Sequence, residues 1–199
     1  MKNKFLLLGI AAALFIGCES DDTANIVITD NSVTNITNNT GGGDNPGDTT
    51  ENLSGVYTEN LTLDPDVEYI ITGPVLMASG TTLTIPAGMT IKAQPVGVNA
   101  YIAIQQGARI SAIGSASSPI ILTSNASSPS SGDWGGLVIC GSAPINSTAD
   151  GSTDTSTSEV GGLSYGGNIP ADNSGSVQYV RIEYAGGAID GNAELNGLS

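Results

Sequence analysis

Histidine is absent from the 199 residues, and cations are scarce: Lys and Arg total 5 against 19 Asp and Glu, a formal charge of −14. The missing imidazole excludes Ser-His-Asp and Cys-His catalysis within this chain, and histidine-ligated zinc with it. The charge excludes nucleic acid, and it excludes adsorption to anionic lipid by charge, because either partner would be repelled. Charged residues make up only 12% and aromatics 5%. No apolar run reaches the roughly 20 residues that a permanent membrane-spanning helix needs. What the chain has instead is Gly (27) and Pro (9), with abundant Ser, Thr and Asn. That composition opposes a helical bundle and favours short strands joined by tight turns.

The amino terminus has the form of an address. Lys2 and Lys4 precede an apolar stretch, Phe5 to Ile16, which ends at Gly17-Cys18. A charged start, about a dozen apolar residues and a small residue before the cut describe a secretory signal over 1–17. A cysteine directly after the small residue resembles the bacterial lipoprotein signal, with Phe15-Ile16-Gly17-Cys18 as the lipobox. The resemblance implies that Cys18 is lipidated, becomes the first mature residue and ties the protein to a membrane. Glu19-Ser20-Asp21-Asp22 resembles the acidic tag that sends some Gram-negative lipoproteins to the outer face, so the expected location is the cell outer membrane, exposed at the surface. Cleavage there removes two of the five cations and none of the anions, and it leaves Cys140 as the one thiol beyond the anchor. No internal disulfide is then possible. Residues 18–52, rich in Thr, Asn, Asp and Gly, read as a flexible stalk spanning roughly 30 Å.

From Leu53 the texture becomes short apolar runs broken by Gly, Pro and Ser. Leu83, Ile85, Gly88, Ile91 and Ala93 match Ile102, Ile104, Gly107, Ile110 and Ala112 at a constant offset of 19. Apolar residues two apart share one strand face, and the glycine turns the chain into a second strand. Such a unit cannot bury its apolar face alone, so it stacks on copies of itself. The pattern predicts an all-β, parallel β-helix domain over 53–199, with a β-sandwich as the alternative fold. Gly132-Asp-Trp-Gly-Gly-Leu-Val-Ile139, Tyr165-Gly-Gly-Asn168, Asp172-Asn-Ser-Gly175 and Tyr179-Val-Arg-Ile-Glu-Tyr-Ala-Gly186 resemble segments of right-handed β-helix surface lipoproteins of Gram-negative bacteria. The resemblance covers about 75–199. Those relatives are longer, which implies that this chain is an amino-terminal fragment of a longer solenoid.

Candidate chemistry is sparse. The carboxylates Asp133, Asp150, Asp154, Glu159, Asp172, Glu183 and Asp190 show no paired spacing and sit mostly beside Gly or Ser, where a turn wants a side-chain acceptor. Asp64-Pro-Asp66-Val-Glu68 lacks the glycine of an EF-hand loop and reads as a turn, so neither metal nor cofactor is expected. At the 19-residue offset Lys92 and Arg109 lie diagonally on an outward face about 8 Å apart, with Arg181 and Glu183 continuing it as a small basic spot for a sulfate or carboxylate. Asp133 and Trp134 form the preferred glycan contact, although a Trp between glycines also suits a plug over a β-helix turn. Cys140 reads as a small buried residue. These features point to a lipid-anchored protein with a structural, adhesive or glycan-recognition role, its partners the membrane and a glycan or surface protein. The alternative is a polysaccharide lyase or glycoside hydrolase whose catalytic rungs lie outside this chain.

Overall fold

A computed structural model describes residues 49–146, 155–190 and 193–199. Among the described residues all regular structure is β, and the long-range pairings between successive turns of the chain are parallel. Parallel pairing excludes the sandwich, whose sheets are antiparallel.

The strands wind into stacked rungs with three faces. β1 (Thr50–Tyr57) bends across the first two faces, and β2 (Leu61–Thr62) lies on the third. β3 (Glu68–Met77) repeats the bend one rung on, its first half paired with the first half of β1 and its second half with the second, across a register shift between Leu53 and Gly55. β4 (Thr82–Ile85) stacks on β2. The third rung separates into β5 (Thr90–Ala93), β6 (Gly97–Ile104) and β7 (Arg109–Ile113), stacked on the two halves of β3 and on β4. In the fourth, β8 (Ile120–Ser124) and β9 (Trp134–Ile139) stack on β5 and β6. The third face of that rung waits until β12 (Gly175–Gln178), which pairs with β7. The fifth starts with β13 (Val180–Ile182) on β8, and Leu198 bridges to Leu137 of β9.

Alternation of side chains turns each register into an apolar ladder inside the coil. Tyr69, Ile91 and Leu122 stack on the first face, Val75, Ile102 and Leu137 on the second, and Leu83 and Ile110 on the third. All eight are buried and belong to one core cluster. Rungs in such a ladder lie about 4.8 Å apart, so each aliphatic side chain packs against its copies above and below.

The matched repeat has a different meaning from the one its offset suggests. Leu83 stacks on Ile110, 27 positions on, not on Ile102. The 19-residue match aligns β4–turn–β5 with β6–turn–β7, which are two different corners of the coil, third face to first and second face to third, rather than successive rungs. Both corners pose the same problem, an apolar-x-apolar strand followed by a left-handed turn at Gly88 or Gly107, so corners can resemble one another as closely as rungs do. The turns themselves fall where the glycines predict. Gly80 and Gly107 have φ of 85° and 79°, and the Gly80 amide donates to the Gly107 carbonyl at 2.9 Å, so two such turns stack directly. A β-carbon at Gly107 would sit 2.4 Å from Ser79 Oγ.

Between β9 and β12 the chain makes an excursion that carries the antiparallel hairpin β10 (Thr155–Thr157) and β11 (Ser164–Gly166). Gln106 pins it, its amide donating to the carbonyls of Gly141 and Gly166 at 3.2 and 2.6 Å. The hairpin region covers the outer side of the second face. A second apolar cluster forms there from Tyr101, Ala103, Val138, Cys140, Val160 and Leu195, the last from β15 (Glu194–Leu195), which pairs with β14 (Gly187–Ala188).

Candidate functional site

The first face carries a polar ladder on its outer side. Thr50 Oγ1 donates to Glu68 Oε2 at 3.2 Å, and Lys92 Nζ meets Glu68 Oε1 at 2.5 Å. Lys92 lies beside Thr123 in register, and Thr123 Oγ1 donates to Glu183 Oε2 at 3.1 Å. Glu183 Oε1 in turn pairs with the Arg181 guanidinium. Lys92, Arg181 and Glu183 therefore share a face, as the sequence suggests. Arg109 does not join them. It sits opposite Thr82 on the third face, because the 19-residue offset crosses a corner. Nor do Lys92 and Arg181 make a basic spot, since each cation is neutralised by a carboxylate of its own face.

The hydrogen bond from Lys92 holds the Glu68 carboxyl below its ordinary pKa of 4.5, and the Lys92 charge and the Thr50 hydroxyl act in the same direction. A lowered folded-state pKa gives stability that is present above the unfolded value and lost as pH falls through the folded one. Replacing Lys92 with methionine is expected to change the melting midpoint little at neutral pH, because both groups are exposed. It is also expected to flatten its decline with acid below about pH 4.5. Melting curves of both proteins from pH 7 to pH 3 check this.

Asp133 and Trp134 are placed otherwise than a glycan contact requires. Trp134 is 0% exposed and belongs to the core, and its indole N–H donates to the Glu183 carbonyl at 2.9 Å. A buried ring offers no stacking face. The residue is the plug, and the glycines around it leave no room for a β-carbon, since one at Gly136 would sit 2.3 Å from the Gly197 carbonyl oxygen of the next rung. Asp133 holds the preceding turn, accepting from Ser124 Oγ at 2.5 Å and from the Ser130 amide at 3.1 Å. Asp64 is a turn acceptor for the Asp66 amide, whereas Asp172 accepts from the Ser142 amide, 30 residues earlier, and ties the two ends of the excursion together. Cys140 is buried, and desolvation pushes its thiol pKa up. Among the described residues no three Asp, Glu or Cys approach one another closely enough to hold a metal ion. Cys18, Asp150 and Asp154 lie outside the described residues.

A different constellation stands around β13. Tyr179 and Tyr184 bracket it with φ of 50° and 58°, and they are 61% and 43% exposed. Between them Arg181 and Glu183 point outward as an ion pair. The geometry follows from the corners. Tyr179 ends the third face and its carbonyl accepts from the Ile120 amide at 3.0 Å; Tyr184 ends the first and accepts from the Asp133 amide at 3.0 Å. Two rungs earlier Gly88, with φ of 83°, turns the corner that Tyr179 turns here. Bulky L-residues occupy this region of φ only against a steric cost. Tyr179 falls in the break that divides β12 from β13. The strip thus comprises two exposed tyrosines whose Cα atoms are at most about 17 Å apart along the chain, with a guanidinium and a carboxylate between them.

A family model described as a pectate-lyase-like β-helix domain matches residues 55–199. No curated protein and no solved structure matches the chain.

Proposed function

Since the chain belongs to the pectate-lyase-like β-helix family, we propose that it is a recognition solenoid that binds glycan through Tyr179, Arg181, Glu183 and Tyr184. The observation that carries this reading is the pair of tyrosines in left-handed conformation. A strained backbone of this kind costs on the order of 1–3 kcal/mol per residue, and such strain concentrates where a side chain must be presented in one direction. Neither tyrosine joins the apolar clusters, so the strain secures no core packing. The rings instead face water, where each presents a flat apolar surface with a polar tip. Sugar rings offer matching C–H faces, and their hydroxyls match the guanidinium and carboxylate that lie between.

Lipidation of Cys18 and a stalk reaching to β1, which starts at Thr50 rather than after residue 52 because Thr50, Glu51 and Asn52 already pair with Glu68, Tyr69 and Ile70, would hold the solenoid at the outer face of a Gram-negative outer membrane, supported by the charged start, apolar run and lipobox of the first 18 residues. Arg181 and Glu183 satisfy one another in the free protein, so a ligand must exchange into an existing pair. Such a site favours hydroxyl-rich, weakly charged chains over strongly acidic ones, which the net charge also repels.

Electrophoresis through gels cast with soluble plant and algal polysaccharides tests the function. The wild-type chain is expected to be retarded by at least one neutral glycan, without release of reducing ends or unsaturated products. The Tyr179→Ala/Tyr184→Ala double variant is expected to migrate as in a blank gel. Release of product by the purified chain would overturn recognition in favour of the lyase or hydrolase alternative, and equal retardation of the double variant would remove the strip from the reading.

A further inference from the structure

The second apolar cluster is incompletely filled. Between the outer side of β9, the β10–β11 hairpin and β15 lies a cleft of about 330 Å³. Val138, Cys140 and Leu195, all buried, are among its lining residues, and Tyr165 contributes a ring. Glu159 and Glu194, both exposed, bring its charge. Ile139, which packs against the inner core, also borders the cleft, and the cleft lies on a different face from the tyrosine strip.

We propose that this cleft binds a small amphiphilic cation, a protonated amine carried on an apolar or aromatic body. Two features select that class. The apolar lining belongs to a cluster that packs against the hairpin, so a ligand body of one ring covers surface that water otherwise wets. A volume near 330 Å³ lies at the lower end of small-molecule sites, which suits a single ring or a short alkyl chain. The charge is one-sided. Glu159 Oε2 already accepts from the Glu194 amide at 2.9 Å, which fixes the Glu159 carboxylate beside Glu194. Among the described residues the cations Lys92 and Arg181 are engaged on the first face and Arg109 stands on the third, and none lines the cleft. An ammonium group therefore finds two carboxylates without a competing cation, and the Tyr165 ring adds a cation–π surface. A carboxylate or phosphate on the same body would meet repulsion and an apolar wall.

Cys140 supplies a readout independent of affinity. Its sulfur lies among the lining side chains, and burial keeps the thiol protonated and slow to react. A ligand seated in the cleft shields it further. The experiment uses the full chain carrying Cys18→Ser, so that Cys140 is the one thiol. Titration with phenethylammonium, phenethyl alcohol and phenylacetate is followed by calorimetry, and the rate of Cys140 modification by methyl methanethiosulfonate is measured with each. Phenethylammonium is expected to bind at least tenfold more tightly than phenylacetate and to slow modification at saturation. Glu194→Gln is expected to weaken it about fivefold, the range for a partly exposed ion pair, and to reduce its salt dependence. Equal binding of the three compounds, binding without protection of Cys140, or no binding of phenethylammonium would each overturn the proposal. Loss of glycan binding by the tyrosine variants leaves these outcomes unchanged, so the two sites stand or fall separately.

Discussion

Trp134→Ala is expected to destabilise the domain by about 4–6 kcal/mol, the largest single-residue effect in the chain. Truncating a buried tryptophan typically costs about 3–5 kcal/mol through lost transfer energy and residual cavity. Here the indole N–H also satisfies the Glu183 carbonyl, and a carbonyl left without its partner in the interior adds about 1–3 kcal/mol. Partial collapse of the cavity makes the sum smaller than its parts. Trp134 pairs with Gly97 of the rung before it and bridges Ala185 of the rung after it. In a stacked-rung protein, stability is close to a sum of neighbour terms, so losing this contact loosens the third, fourth and fifth rungs together. Against a total of 5–15 kcal/mol for an ordinary domain, the variant is expected to be largely unfolded near physiological temperature. Urea titration by far-ultraviolet circular dichroism measures it. Trp134→Phe keeps a ring in the space while losing the N–H, and it is expected to cost about 1–3 kcal/mol. A cost below about 1 kcal/mol for the alanine variant would show that Trp134 does not plug the coil. The effect also reaches the surface, because the carbonyl that the indole holds belongs to Glu183, within the proposed glycan strip.

What the sequence discloses about the fold and what it conceals have the same cause. Apolar residues at alternate positions followed by glycine identify the strands and the corners, because inward side chains and left-handed turns leave few other choices of residue. Leu83, Ile85 and Gly88 are legible for that reason. Rung length is not legible, since a corner match and a rung match look alike and the true offsets vary. Leu83 to Ile110 spans 27 positions, Tyr101 to Gly136 spans 35, and Ile110 to Gly175 spans 65. The last contains the hairpin excursion, whose Gly, Ser and Thr match the composition of the corners and so give no signal of a covering flap. With the register misplaced, Arg109 and Lys92 fall on one face in the sequence and on two in the structure. Trp134 reads equally as platform or plug, and only burial decides. The cleft escapes altogether, because Cys140, Glu159, Tyr165 and Glu194 are brought together by that flap and by β15. Tyr179 and Tyr184 had a faint signal, tyrosine where corners elsewhere use glycine, but nothing in a single sequence says where the corners of the fifth rung fall.

The Tyr179→Gly/Tyr184→Gly double variant is expected to be as stable as the wild type or up to about 3 kcal/mol more stable, while losing glycan affinity about 10- to 100-fold. The first expectation weighs two terms of opposite sign. A non-glycine residue in the left-handed region carries roughly 1–2 kcal/mol of steric cost, which glycine relieves. Glycine loses more backbone freedom on folding, which costs about 0.5–1 kcal/mol per site. The rings add little to this balance, since they stand outside both apolar clusters. The affinity expectation rests on two ring contacts of about 0.5–1.5 kcal/mol each beyond area burial, with tenfold for every 1.4 kcal/mol. Affinity gels or calorimetry with the retarding polysaccharide give one half of the answer and urea titration the other. A stability loss above about 2 kcal/mol would show that the tyrosines pack rather than present themselves, and undiminished affinity would show that glycan is bound elsewhere. Alanine at the same positions removes the rings and keeps the steric cost of the corner. Equal loss of binding in the alanine and glycine pairs, with lower stability in the alanine pair, is therefore the signature of rings that contact the ligand and of backbone strain that is the cost of presenting them.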